Sequence, residues 1–388
     1  MNADQPPITE DQADLLRVTL LPGLGPILTR RALDTLGSPR AVLEASRREL
    51  TAIRGVGGQT ASAIIDARPT IEDRLNQELN EADAMGARLV TLIDDDYPGL
   101  LRQIQDPPPV LYVRGDINAI SNAYTIGVVG SRSATHYGIE QTERFSAALA
   151  HAGLCIVSGG ARGVDTAAHR ATLRAQGRTV AVLGCGLAQC YPPENQNLFD
   201  AIASSGGAVI SELPMNAGPH AENFPARNRI ISGLSLGTLV IEAPKRSGAL
   251  ITARLAAEDH GREVFALPGR VDSPTSRGCL DLIIKGGAHL VADPSDILDM
   301  LEGPARRHHV DQTEIESAQQ EPAPPRIDLD ALSEQQRQIV VCLDSPGSFD
   351  EIVRRTGLDA GVVRSETTIL ELQQIVVRRG GQFEASLY

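Results

Sequence analysis

The chain is 388 residues long, 42% hydrophobic and 22% charged, with a formal net charge of −13. Its length gives room for two or three domains, each with a core of its own. The acid excess argues against a nonspecific coat for duplex DNA. The polar opening "MNADQPPITEDQ" does not read as a signal peptide, and no apolar run approaches membrane-spanning length. Five cysteines (Cys155, Cys185, Cys190, Cys279, Cys342) form no CxxC pair, so a reducing cytoplasm is expected, with neither zinc site nor disulfide framework. The charge is uneven. Residues 1–120 and 301–388 each carry −6, whereas residues 121–300 carry −1 and hold the only two lysines, Lys245 and Lys285.

Residues 10–68 read as short helices with two similar turns, "LPGLGP" (21–26) and "IRGVGG" (53–58), each followed by a helical segment. They resemble a pair of helix-hairpin-helix motifs, in which backbone N–H groups at a helix start can meet a phosphate. Two tight turns in a small helical packing module are the equal alternative. A helix around 70–86 completes a first domain over 1–86, and strands at "RLVTL" and "VLYVRG" lead into the second, 87–300. There, strand-like runs ("YTIGVVG", "LCIVSGG", "TVAVLGCG", "AVISEL", "GTLVIEA", "EVFALPG", "AHLVAD") alternate with several helical stretches. The alternation predicts an α/β fold: a Rossmann-like, doubly wound, mostly parallel sheet with helices on both faces. Ligands of such sheets bind beyond the C-terminal strand ends. Residues 301–330, rich in Pro, Gln and acid, read as a flexible linker. Residues 331–388 follow the order of a winged helix.

Three strand ends run into glycines: Gly130-Ser131-Arg132, Ser158-Gly159-Gly160-Ala161-Arg162, and Gly184-Cys185-Gly186. Such turns can hold anions, and Ser158, Gly159, Gly160 and Arg162 form a candidate phosphate loop. Neither GxGxxG nor GxxxxGK[ST] is present, so no dinucleotide cofactor is expected, nor a metal. Further cations cluster at "ENFPARNRIISGL" (Arg227, Asn228, Arg229, just after Phe224) and "EAPKRSGALITARLA" (Lys245, Arg246, Arg254). Arginines at strand ends beside an aromatic suit a sugar-phosphate chain with a base stacked on Phe224. The alternative is a Phe224 packed in the core and an Arg229 held in an ion pair. Asp165 and His169, at i and i+4, could share a helix face, but a capping carboxylate and a packed imidazole are the simpler reading. Glu212 and Glu242, at strand ends, are the remaining acids suited to glycosidic chemistry. In "CLDLIIKGGAHLV", Leu280, Ile283 and Ile284 share a helical face that could pack on the sheet or pair with a twofold copy.

The blocks "GVVGSRSATHYG", "IVSGGARGVDTAAHRATL", "AVLGCGLAQCYPPENQNLF", "ISELPMNAGPHAENFPARNRIISGLSLGTLVIEAPKRSGALITARLA" and "EVFALPG" resemble, in order over about 95–300, those of the DprA/Smf family of DNA-processing proteins. The flanking segments resemble that family's SAM-like or helix-hairpin-helix domain and its winged helix. The resemblance implies a non-catalytic protein that binds single-stranded DNA during natural transformation. Such a protein protects the strand and helps load the RecA recombinase on it, usually as a homodimer. It also implies DNA contacts at Gly130, Ser131 and Arg132 and at Arg227–Arg229 with Phe224. Lys245, Arg246 and Arg254 extend that set by their location. Arg132 occupies space that a small nucleotide's pyrophosphate would need, and its guanidinium can fork onto a backbone phosphate.

Two other classes compete. Nucleotide phosphoribohydrolases of a related fold use a PGGxGTxxE block, whereas "SGGARGVD" lies at another strand and lacks that glutamate. A duplex-DNA regulator would read DNA through the winged helix, but its candidate recognition helix, "DAGVVRSETTILELQQI", sets one arginine against two glutamates.

Overall fold

A computed structural model describes residues 8–121, 124–301, 303, 332–343, 345–372, 375–379 and 382–385. Apart from residues 301 and 303, the expected linker, 301–330, lies outside the described residues. The chain divides into two compact units, Met1–His309 and Val310–Tyr388.

The first unit opens with six helices: α1 (Glu10–Thr19), α2 (Pro26–Leu36), α3 (Pro39–Glu44), α4 (Arg47–Ala52), α5 (Gly58–Ala67) and α6 (Ile71–Ala84). Capping boxes fix two of their starts, Thr9 with Gln12 at α1 and Ser46 with Glu49 at α4. The two glycine turns read from the sequence lie directly before α2 and α5. They also pack crosswise, Gly23 against Thr60 and Gly55 against Leu28.

Among the described residues the sheet has nine strands, with two short helices, α7 (Gly99–Arg102) and α8 (Asn118–Ser121), before and after its second strand in the chain. The strands are β1 (Ala87–Thr91), β2 (Val110–Gly115), β3 (Thr125–Val129), β4 (Cys155–Ser158), β5 (Thr179–Val182), β6 (Ala208–Ser211), β7 (Gly237–Val240), β8 (Glu263–Ala266) and β9 (His289–Leu290). Their order is β1-β2-β6-β5-β4-β3-β7-β8-β9. From β6 to β9 all pairs are parallel, while β1 and β2 extend the β6 edge in antiparallel fashion. The run β5-β4-β3-β7-β8-β9 repeats the Rossmann order 3-2-1-4-5-6, so the strand order reverses between β3 and β7.

Strand alternation sorts the apolar side chains onto two faces. Val157, Val180, Val182, Ile210 and Val240 join one core under α12 (Asn223–Gly233), α13 (Gly248–Arg254) and α14 (Arg277–Ile284). On the other face, Ile126, Ile156 and Leu239 pack with Phe145 and Leu149 of α9 (His136–His151) and Val164 and Ala168 of α10 (Val164–Arg174). Tyr112, Ala181 and Val209 face the N-terminal helices and α11 (Gln196–Ser204), sharing a core that runs from Ala13 to Met215. The helical module is thus built onto the sheet rather than closed on itself. Glu78 of α6 reinforces this junction by accepting a hydrogen bond from the Met215 amide.

The second unit has helices at Glu334–Cys342, Phe349–Thr356 and Ala360–Leu372, then an antiparallel pair, Val376–Arg379 with Gln382–Ala385. A bridge from Gly347 to Phe383 adds a third, one-residue strand contact. Its core (Ile339, Val340, Leu343, Ile352, Val363, Leu370, Val376, Phe383) is its own. This is the winged-helix order read from the sequence.

Candidate nucleic-acid interface

Where β3 and β7 run side by side, their chains leave in opposite directions and open a crevice at the strand ends. A cavity of about 620 Å³ occupies it, lined among others by Gly130, Arg132, Asp165, Tyr191, Phe224 and Arg227. The loop after β3 is firmly held. The Ser131 amide donates to the Glu242 carbonyl (2.7 Å), and the Val164 amide donates to the Ser131 carbonyl (3.2 Å). The Ser133 amide donates to Ser131 Oγ (3.1 Å).

Arg132 stands exposed at the rim. Its guanidinium lies over the Phe224 ring, 5.3 Å from the centroid, and Tyr191 stands 5.4 Å beyond at a 53° tilt. Half-buried Phe224 and Tyr191 thus wall the cavity with aromatic surface. Asn228, one turn beyond Phe224 in α12, also lines it, its side-chain amide 3.4 Å from the Gly248 carbonyl. Lys245 and Arg246 are exposed on the loop after β7. Arg254 is exposed too, but it reaches Glu258 one turn on at 3.4 Å, and so sits further from the crevice in the helix. An exposed pair of that kind is worth little.

Two of the expected arginine contacts are buried. Arg229 is 6% exposed. It grips both carboxylate oxygens of Glu212 (2.6 Å each) and reaches the Asp106 carboxylate at 2.9 Å. The ion pair, not the phosphate contact, is what the structure gives this residue. Glu212 is committed by the same bonds. Arg227 is 4% exposed, donates to the Val182 carbonyl and keeps a buried Nε without a partner. Burial pulls its pKa down to about 10, against the pull of Asp165, whose own carboxyl burial pushes up to about 6. Gly159 makes room for this couple: a Cβ there would lie 2.3 Å from Arg227 Nη1 and 2.7 Å from Asp165 Oδ2.

The second glycine loop is tied to the segments around it. Ser158 is buried and donates to the Val128 carbonyl (2.7 Å), Gly160 packs against Phe199, and exposed Arg162 pairs with Glu194. Of the four residues of the candidate phosphate loop, only Arg162 offers a charge to solvent, and that charge is shared. Asp165 does not cap α10, whose N-cap is Gly163; it accepts from the Ala161 amide (3.2 Å) and closes the turn ahead of the helix. His169 is buried against Thr179 Oγ1 (2.7 Å), and burial lowers its pKa to about 3. The helix α14 splits the apolar triad: Leu280 and Ile283 are half-buried, the latter against the core, while Ile284 is 76% exposed. Tyr191 was not singled out from the sequence, although an aromatic in a strand-end loop is the same signal that marks Phe224.

The "DNA recombination-mediator protein A" family model matches residues 88–302, more than half of the chain. The chain belongs to the DprA/Smf family of DNA-processing proteins. Flanking matches are a SAM-like helix-hairpin-helix tandem over 14–68 and a DprA winged-helix domain over 320–382. Protein Smf of Synechocystis is 36% identical over 394 residues, covering 96% of this chain and 98% of that protein. DNA processing protein DprA of Bacillus subtilis is 40% identical, covering 56% and 72%. Among solved structures, DNA processing protein A from Streptococcus pneumoniae matches with a TM-score of 0.66 at 34% identity, covering 76% of this chain and 98% of that one. DNA processing protein A from Helicobacter pylori, described for its single-stranded DNA binding mode, matches with a TM-score of 0.50 at 30% identity over 55% and 95%. In family terms, the glycine-serine-arginine turn and the "FPARNR" segment face each other across this cavity, with only some of their cations exposed.

The split between exposed and buried arginines has a measurable consequence. Arg229→Met is expected to cost about 3 kcal/mol in urea unfolding, because Glu212 and Asp106 lose their cation in a buried setting. Arg132→Ala is expected to stay within about 0.5 kcal/mol of wild type. Equal costs for the two would contradict the assignment. Asp165 adds a pH dependence. Its folded pKa of about 6 lies above the roughly 4 of an unfolded chain, so the folded state holds the extra proton between those values. The stability it contributes is present below about pH 4 and lost as the pH rises to about 6. Urea midpoints of Asp165→Asn should therefore gain on wild type from pH 4 to 6 and run parallel above. A constant difference across that range would refute the shift.

Proposed function

We propose that this DprA/Smf protein binds single-stranded DNA in the β3/β7 crevice, without breaking a covalent bond in it. The observation that carries the reading is the exposed Arg132 resting on the ring of Phe224. A base stacking on that ring displaces the guanidinium, which is then free to meet the strand's phosphate. Lys245 and Arg246, exposed on the loop across the crevice, add phosphate contacts, and Arg227 supplies positive potential from beneath. Arg229 and Ser158 serve as scaffold. Arg162 and Arg254 would contribute only by exchanging a carboxylate for a phosphate. The base-stacking wall favours a single strand over a duplex, whose bases are already stacked.

In the cell, this activity would protect strands taken up during natural transformation and help load the RecA recombinase on them, in the cytoplasm. We place the homodimer contact at α14, where Ile284 is exposed. The winged helix would serve regulation or partner binding, since residues 301–388 carry a net charge of −6. A nucleotide-hydrolysing reading finds less support. Glu212 is bound up with Arg229 and Glu242 with hydroxyl and amide donors, while His169 is sealed in the core.

Fluorescence anisotropy with labelled single and double strands over a salt series tests the proposal. Neutralising roughly 3–5 phosphates of a single strand should give log K against log salt a slope of about −2 to −3.5. Arg132→Ala should weaken all sequences alike, as a backbone contact carries no base information. A slope near zero, or tighter binding to duplex, would overturn it.

A further inference from the structure

Glu242 follows β7 and Ile241, is bonded to Thr135 at the end of the loop after β3, and is 2% exposed. Its hydrogen bonds come from neutral donors. Oε2 accepts from the Thr135 amide (2.8 Å), and Oε1 accepts from the hydroxyls of Thr135 (2.7 Å) and Thr275 (3.2 Å). Its carbonyl accepts from the Ser131 amide (2.7 Å). One residue therefore grips both ends of the 131–135 segment, with Arg132 between the anchors.

The chemistry demands an acceptor on both sides. The Thr135 amide can only donate. The Thr135 hydroxyl accepts from the Gly138 amide (3.1 Å), capping α9, and donates its single proton to Glu242. A carboxylate satisfies every donor; a glutamine of the same shape would turn its NH₂ toward one of them. Buried and deprived of an acceptor, that donor must move to find another. Among the described residues no carboxylate forms an ion pair with Arg132 at the rim. Its position over Phe224 depends on the loop beneath it.

We propose that Glu242 is a positioning residue for DNA binding, its carboxylate and carbonyl together clamping the loop that presents Arg132. This inference rests on the reading of the crevice as the DNA site. The expected behaviour is coupling between two residues of which only one meets the strand. Glu242→Gln should weaken single-strand binding about tenfold, and should weaken it no further in an Arg132→Ala background. In the free protein, amides of residues 131–138 should exchange with deuterium faster, while those of β3 and β7 keep their protection. Thr135→Val should reproduce both effects and Thr135→Ser should restore them. That pair carries the comparison if Glu242→Gln does not fold.

Binding by Glu242→Gln within about twofold of wild type would overturn the proposal, as would multiplicative losses with Arg132→Ala. Wild-type protein without single-strand affinity would instead remove the reading of the crevice. Loop exchange, measured without DNA, then decides the clamp by itself: unchanged exchange in Glu242→Gln overturns it.

Discussion

The reversal of strand order between β3 and β7 is the constraint from which the rest of the site follows. Parallel neighbours whose crossovers run to opposite sides cannot close over their common end, so backbone from both loops faces an open crevice. The residues gathered there come from the segments that follow five strands: Arg132 after β3, Asp165 after β4, Tyr191 after β5, Phe224 after β6 and Pro244 after β7. Five sequence-distant segments meet because the sheet brings their ends into one plane.

A second principle governs the charges. The chain is acidic overall, yet its crevice presents Arg132, Lys245 and Arg246 to solvent while Arg229 is neutralised by Glu212 and Asp106. Burying Arg229 in a two-carboxylate grip anchors the middle of α12, whose first turn carries Phe224. Exposed cations can then be few, since their geometry is set by the scaffold rather than by their number. Net charge is a poor guide to such a surface.

Much of the fold was legible in the sequence because it rests on local pattern. The Val- and Ile-rich runs became β3 to β8, the two glycine turns precede α2 and α5, and the tail has the winged-helix order. "AHLVAD" yielded only the two residues of β9, at the sheet edge where one neighbour is missing. The site was legible in its loops but not in its side chains. Whether Arg229 faces water or Glu212 depends on residues 17 and 123 positions away in sequence, and no local signal encodes that. Glu242 could be read as an acid, but its donors lie 107 and 33 residues distant. Asp165, which reads as a helix cap, instead closes a turn, because the N-cap position of α10 belongs to Gly163.

The central claim is that a single strand lies in the crevice with a base against its aromatic wall. Photo-crosslinking measures this directly: single-stranded DNA carrying 5-iododeoxyuridine is irradiated with the protein, and the adducts are located by peptide mass spectrometry. The account predicts adducts at Phe224 or Tyr191, lost when Phe224→Leu removes the ring. Adducts confined to residues 14–68 or to 332–385, with the crevice unlabelled, would contradict it.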